Sequence, residues 1–286
     1  MKISTEIGSA SKIIGEEKAV EYIAKAGFDA WDFSMFAMAN YNYSTKSVQD
    51  TDHPLRGSDY LAFARRLKQI GEDNGIECNQ SHAPFPVVCP EVRSYLKRAI
   101  ECTAEAGGKI CIIHPDSNKT AAENAEMYAE LLPFAKDCGV KIATENMWNW
   151  EKDHAIFAAC STPKDFNAHL DAVNDDYFVA CLDIGHAEMM GDDISAVKMI
   201  EALGARLGAL HIHDNDRWHD SHQIPFSMSI DFDAVAKALK KIGYSGYLTL
   251  EADCYLHGRT AENVFDGICD MAKAARKLDL MIAEAE

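Results

Sequence analysis

Short apolar segments alternate with longer segments of helical period along the chain, eight of each in 286 residues. The apolar segments are near-continuous, which is typical of strands buried on both faces of a parallel sheet. Eight such units leave no sheet edge if they close on themselves. The sequence therefore predicts an α/β fold, a single (β/α)8 TIM barrel, with an open doubly wound sheet as the alternative.

The boundaries of the strands and helices follow from hydrophobic periodicity and from the glycine and proline residues at helix ends. Strands are predicted over residues 2–7, 30–35, 76–82, 109–114, 140–147, 178–184, 207–213 and 247–252. Helices are predicted over residues 16–26, 58–74, 90–106, 121–138, 163–173, 194–203, 232–242 and 261–283. Glycine follows six of these helices, and Pro90 and Pro163 suit a first helical turn. No linker interrupts the pattern, so residues 1–286 are expected to form one domain.

Composition narrows the class of protein. The chain is 48% hydrophobic and 26% charged, as ordinary globular proteins are, and carries a formal net charge of −17. A polyanionic partner such as nucleic acid is therefore disfavoured, because such binders cluster Lys and Arg. The nine cysteines stand singly, and no stretch resembles a signal peptide or a membrane span. We expect a cytoplasmic protein with no membrane partner, in which Cys111 and Cys181 are structural.

Polar side chains follow six consecutive strands, from the third to the eighth. Active sites of such barrels lie at these carboxyl ends. Each side chain alone has a structural explanation, as a core histidine, a rim ion pair or a helix cap. Together they bring several carboxylates to one mouth, and a cation would offset their repulsion. The sequence predicts a metal site there, formed from His82, His114, Glu145, Asp183 with His186, His211 and Glu251.

The densest polar segment covers residues 210–222, with four histidines and three aspartates. Imidazole and carboxylate are the ligands of borderline and hard divalent cations, although a solvated polar loop is the alternative. His211 and His213 are expected on one face of the seventh strand, with Asp214 opposite.

Glu145, Asp183, His211 and Glu251 supply one imidazole and three carboxylates, a ligand set that suits Mn, Mg, Co, Fe or Zn. No organic cofactor is expected. Glu145 and Glu251, from the fifth and eighth strands, are predicted to flank a sugar carbon. One would remove its proton and the other return it through an enediolate. This predicts a sugar or sugar phosphate isomerase or epimerase.

The same residues carry a family resemblance over essentially the whole chain. The motifs are Glu145-Asn146, Asp183-Ile184-Gly185-His186, His211-Ile212-His213-Asp214 and Leu250-Glu251. The sequence resembles the xylose isomerase-like TIM-barrel superfamily, the sugar phosphate isomerase/epimerase group that shares its fold with endonuclease IV. Resemblance to the ketose 3-epimerases implies that Glu145, Asp183, His211 and Glu251 bind the metal and that the two glutamates are the acid/base pair. It also implies substrate contacts by His186, Glu151 and Arg217.

Aromatic side chains near the strand ends are expected to line the pocket, namely Phe85, Trp148, Trp150 and Trp218. The expected partner is a small-molecule sugar, and the habits of the family suggest a homodimer or homotetramer.

Five further residues depart from the epimerase pattern. His82, His114, His186, Asp220 and His222 match the additional ligands with which endonuclease IV-like members hold three zinc ions. A multinuclear zinc phosphodiesterase therefore stays open, although the net charge and the scarcity of Lys and Arg near the strand ends oppose it. A metal-dependent lyase or dehydratase is a third hypothesis, and a non-catalytic sugar-binding barrel is the least favoured.

Overall fold

The computed structural model describes residues 1–191 and 193–285. It contains eight barrel strands: β1 (Ile3–Glu6), β2 (Ala30–Ser34), β3 (Glu77–His82), β4 (Ile110–Ile112), β5 (Lys141–Glu145), β6 (Phe178–Asp183), β7 (Leu207–His211) and β8 (Leu248–Leu250). They pair in the order β7-β6-β5-β4-β3-β2-β1-β8, and each of these pairs is parallel. The predicted TIM barrel is confirmed.

The barrel closes just beyond the end of β7. The amide of Ile212 donates to the carbonyl of Thr249 at 2.9 Å, and the amide of Glu251 donates to the carbonyl of Ile212 at 3.0 Å. These bonds form an isolated parallel bridge between Ile212 and Leu250. The open doubly wound alternative is thereby excluded, and His211 comes to lie beside Glu251.

The outer layer consists of helices α1 (Gly8–Ile14), α2 (Glu16–Ala26), α3 (Tyr60–Asp73), α4 (Pro90–Arg93), α5 (Leu96–Ala106), α6 (Ala121–Asp137), α7 (Pro163–Val173), α8 (Ile184–Glu188), α9 (Ala196–Leu203), α10 (Phe232–Ile242) and α11 (Val264–Glu284). Capping side chains fix several starts: Thr120 and Glu123 form a reciprocal capping box at α6. Gly27 and Gly243 end α2 and α10 in the left-handed conformation. No helix in the described part of the chain is long and apolar enough to cross a bilayer.

The barrel interior contains both an apolar cluster and hydrogen-bonded polar side chains. A small apolar cluster of Ile112, Ala143, Cys181 and Ala209 is separate from the main core that packs strands against helices. Buried polar side chains also lie inside the barrel. Ser4 donates to Asn79 at 2.6 Å, and Asn79 donates to Thr249 at 3.0 Å. Buried polar groups need such partners, and here strands β1, β3 and β8 provide them.

Several regions differ from the sequence expectation, among them the short helix α8, which was not predicted. The helix predicted over residues 90–106 is divided into α4 and α5, because the Ser94 hydroxyl donates to the carbonyl of Glu91 at 2.6 Å and competes with helical bonding. Helix α1 and two antiparallel hairpins were not predicted. The first hairpin pairs Tyr41–Asn42 with Ser47–Val48, and the second pairs Trp148–Glu151 with His154–Phe157.

Burial of Cys111 and Cys181 leads to a testable prediction. Both side chains are fully buried, and burial raises the pKa of Cys111 to about 11. Because the thiolate is the reactive form, we expect neither residue to react with a thiol reagent in the native protein, whereas the partly exposed Cys89 and Cys269 react. Peptide mass spectrometry after brief labelling measures this. Rapid modification of Cys111 or Cys181 would show that the structural assignment is wrong.

Candidate active site

Four strand ends form the centre of the site. Glu145 ends β5, Asp183 ends β6, His211 ends β7, and Glu251 directly follows β8. One ligand atom from each lies within 4.8 Å of the others. His211 Nδ1 lies 3.2 Å from Glu145 Oε1 and 3.3 Å from Glu251 Oε2, so one imidazole nitrogen faces both glutamates. We call these four residues the central group.

A first flanking group shares Glu145 with the central group. It contains His82 at the end of β3 and His114 just after β4, whose ligand atoms cluster with a Glu145 oxygen. His114 Nε2 lies 3.2 Å and His82 Nε2 lies 3.7 Å from Glu145 Oε2. The two oxygens of Glu145 therefore face different sets of histidines.

A second flanking group lies on the other side and consists of His186, His213, Asp220 and His222. Asp220 is its centre: one oxygen is 3.4 Å from His186 Nε2 and 3.2 Å from His222 Nε2, and the other is 3.5 Å from His213 Nε2. His213 Nε2 is also 3.1 Å from Asp183, which connects this group to the central one.

The segment after β7 folds back to deliver Asp220 and His222. The buried carboxylate of Asp214 accepts the amides of Met228 at 2.8 Å and Ile230 at 3.0 Å. Its backbone also exchanges two hydrogen bonds with Gln223. Asp214, expected opposite the two histidines, thus anchors the segment whose turn carries the ligands.

Gly185 makes room for His213. A Cβ atom at residue 185 would lie only 2.0 Å from His213 Cε1. The imidazole of His213 is fully buried and stacks on His222, with ring centroids 3.9 Å apart. The glycine of the Asp183-Ile184-Gly185-His186 motif is therefore a steric requirement of the second flanking group.

Unpaired polar atoms test whether these groups suit a metal ion. Among the described residues, buried side-chain atoms without a hydrogen-bond partner include His114 Nε2, Glu145 Oε1 and Oε2, Asp183 Oδ2, His211 Nδ1, His213 Nε2 and Asp220 Oδ1. Such atoms are rare in proteins, and here they converge on the three groups. A divalent cation bound by imidazole and carboxylate would satisfy them, so the residues fit a metal centre.

The orientation of three other histidines agrees with this fit. His82, His186 and His222 place Nδ1 at 3.0, 2.9 and 2.7 Å from backbone carbonyls, which accept a hydrogen bond from that nitrogen. Nε2 of each ring then points toward the carboxylates. Metal-binding histidines are commonly held this way, with the second nitrogen fixed by a carbonyl.

Burial and neighbouring charges shift the pKa values of the side chains in the site. Burial alone would lower the pKa of His186, but Asp183 and Asp220 raise it to about 10. Burial alone would raise the pKa of Glu145, but His211 and His114 hold it well below its usual range. Burial, together with the charge of Glu145, keeps the pKa of Glu251 well above normal despite His211. The carboxylates thus favour a positive charge on His186, whereas burial and His114 keep the pKa of His82 well below its usual value.

Two positioning residues were not predicted from the sequence. Asp32, fully buried in β2, lies 3.4 Å from His211 Nε2 and accepts from Gln80 at 2.8 Å, so it faces the ring nitrogen that points away from the glutamates. Asn146 donates to the carbonyl of Asp183 and accepts its amide, which locks the ends of β5 and β6 together. Asp32 is the one acidic residue in the mostly apolar strand Ala30–Ser34, and this was the sequence signal that could have identified it.

Above these groups opens a cavity of about 880 Å³. His82, His114, Glu145, His186, Asp220, His222 and Glu251 lie along its floor, and Phe85 and Trp148 lie along its wall. In the part of the chain that the structure describes, neither Glu151 nor Arg217 lines it. Glu151 is exposed in the second hairpin, opposite His154. Arg217 Nε lies 3.3 Å from Glu188. Trp150 and Trp218 also lie outside the lining.

Comparison with known proteins identifies the family. The model of the xylose isomerase-like TIM barrel family matches residues 20–276. The chain belongs to this family. It is 26% identical over 250 residues to an uncharacterized protein of Methanocaldococcus jannaschii, covering 82% of this chain and 78% of that one. It is 24% identical over 248 residues to a ketose 3-epimerase of Arthrobacter globiformis, covering 83% and 78%. A crystal structure of a D-tagatose 3-epimerase-like protein superposes with a TM-score of 0.72 at 20% identity and covers 99% of both chains.

The tight contact at Gly185 yields a prediction. Gly185→Ala should displace His213 and lower the free energy of unfolding by about 1–3 kcal/mol, as overpacking of a close-packed site does. Gly57→Ala is the matched control, because its Cβ would meet its nearest neighbour at 3.7 Å. Denaturant unfolding of both variants measures the difference. Equal stability of Gly185→Ala and the wild type would contradict the packing argument.

Proposed function

We propose that the protein is a divalent-metal-dependent sugar or sugar phosphate isomerase or epimerase, whose active site lies at the carboxyl ends of the strands. The observation that carries the proposal is the geometry of Glu145 and Glu251, which approach the same nitrogen of His211 at 3.2 and 3.3 Å from strands β5 and β8. Its relatives support the proposal, since they include a ketose 3-epimerase from Arthrobacter globiformis and an L-ribulose 3-epimerase from a Methylomonas species.

Glu145, Asp183, His211 and Glu251 would hold the metal ion, which is Mn, Mg, Co, Fe or Zn on the chemistry of the donors. When bound, such an ion acts as a Lewis acid on the carbonyl and hydroxyl oxygens of a sugar. Asp32 would keep His211 oriented toward the two glutamates by facing its other nitrogen.

The two glutamates carry the proton transfer. One carboxylate takes the proton from the carbon beside the carbonyl, and the C–H electron pair moves into an enediolate. The other carboxyl group returns a proton, either to the opposite face of the same carbon or to its neighbour. The first outcome is epimerisation. The second is isomerisation, in which the former hydroxyl oxygen also gives up its proton and the former carbonyl oxygen gains one. Because both groups are largely buried, bulk water has little access to the proton in transit.

Removing either carboxylate should stop turnover. We expect Glu145→Gln and Glu251→Gln to lower the rate of C–H exchange in deuterated water by at least about 100-fold, as loss of a general acid or base does. The shape of the site is preserved by the amide. Mass spectrometry of ketose substrates measures the exchange, and circular dichroism checks the fold. Glu126→Gln, on the exposed face of α6, is the control. Near wild-type exchange in either active-site variant would refute the acid/base assignment.

A multinuclear phosphodiesterase is the second candidate, and the two flanking groups favour it. The zinc-cluster pattern consists of the four residues of the central group and the five additional ligands. Together with His213, these nine residues make up the three groups. Clustered metals can generate hydroxide and stabilise a leaving oxygen. The charge of the cavity opposes this function, because Lys46 is the one Lys or Arg among its described lining residues. A DNA backbone requires several cations.

Metal content and activity on DNA separate the two candidates. We expect no cleavage of duplex DNA that carries an abasic site, at any zinc loading, because the mouth lacks cationic side chains for phosphates. Elemental analysis of protein purified without added metal reports how many groups are loaded. Two or three zinc ions per chain together with strand cleavage would favour the phosphodiesterase over the isomerase. The homodimer or homotetramer expected from the family stays a prediction.

A further inference from the structure

Aromatic rings form one wall of the cavity. Phe36 and Tyr43 come from the segment after β2, Phe85 from the loop after β3, and Trp148 from the second hairpin after β5. The metal-binding carboxylates lie at the floor beside this wall. The cavity therefore has a polar reacting end and an apolar side that the proton transfer does not use.

The rings form a continuous run from the floor to the rim. Phe85 stacks on His114 with centroids 4.7 Å apart, Tyr43 follows at 6.4 Å from Phe85, and Tyr41 lies 5.0 Å from Tyr43. The inner end is a histidine of the first flanking group. Farther from this end, Tyr43 is 61% exposed. Three successive ring contacts therefore lead away from the reacting end along the cavity wall.

The charges of the lining disfavour a phosphorylated substrate. Five carboxylates line the cavity, those of Asp116, Glu145, Asp220, Glu251 and Asp253, against a single lysine, Lys46, among the described residues. Glu145, Asp220 and Glu251 belong to the metal-binding groups, where imidazoles and a cation would offset them, so Asp116 and Asp253 are the carboxylates that would repel a phosphate group. Glu151 and Arg217, which the resemblance to ketose 3-epimerases implies as substrate contacts, lie outside the described lining of this cavity.

We propose that this wall is a subsite for a second, uncharged ring attached to the reacting sugar. The substrate is then a neutral glycoside, a sugar that carries a glycosyl or aryl group, rather than a free or phosphorylated monosaccharide. Only the identity of the reacting sugar rests on the proposed function; the site for the second ring does not. The apolar faces of sugar and aryl rings pack against aromatic side chains, and a cavity of about 880 Å³ is in the range that takes ligands of this size.

Calorimetric titration tests the subsite without turnover. The probes are D-fructose, D-fructose 6-phosphate, cellobiose and 4-nitrophenyl β-D-glucopyranoside. We expect at least one two-ring probe to bind the wild type at least ten-fold more tightly than either monosaccharide. The tighter of the two identifies the attached ring as glycosyl or aryl. Equal or tighter binding of fructose or its phosphate would overturn the proposal.

Tyr43→Ala locates the effect on the wall. Loss of one ring contact should weaken binding of the two-ring probe about five-fold and leave fructose binding unchanged. Trp218→Ala removes an aromatic side chain that is 49% exposed and lies outside the lining, so it should change neither value. Equal weakening of both probes by Tyr43→Ala would overturn the subsite. A preference for two rings without C–H exchange would instead refute only the proposed function.

Discussion

The structure depends on one electrostatic constraint, the burial of several carboxylates at a single mouth. Glu145 and Asp183 are essentially inaccessible to solvent, and both oxygens of Glu145 are without a hydrogen-bond partner among the described residues. Buried carboxylates are costly unless positive charge surrounds them. The imidazoles around them provide part of that charge, and a divalent cation would provide the rest. Buried clusters of titratable groups are found mainly at functional sites, where the same groups take part in catalysis or binding.

The scaffold is built to maintain this unfavourable cluster. Asn146 ties two ligand-bearing strands together, Asp214 folds the long segment after β7 back over the mouth, and Asp32 faces His211 from inside the barrel. None of these residues belongs to the three metal groups. Their buried hydrogen bonds fix the side chains that do, as supporting residues around metal sites generally do.

Sequence pattern predicted the barrel and the floor of the site because both depend on strand periodicity. A ligand at the end of a parallel strand must reach the same mouth as its neighbours, whatever the loops do. The hairpins could not be predicted in this way, because their conformation depends on contacts across the mouth. Glu151 and Arg217 stay predicted substrate contacts; in this structure the hairpin exposes Glu151, and Glu188 pairs with Arg217. The Gly185–His213 contact joins segments whose proximity no local signal encodes.

This division between floor and wall also bears on function. In the proposed function the strands would supply an acid, a base and metal ligands, which suffice to move a proton beside a carbonyl but do not select a molecule. On the proposal of an aromatic subsite, selection would lie with Phe85, Tyr43 and Trp148, which belong to loops or lie at a hairpin. Barrels of this family can therefore keep one reaction while the loops change the substrate. On that argument, the aromatic wall is a better guide to what this protein binds than the metal-binding residues are, because those residues suit several reactions equally well.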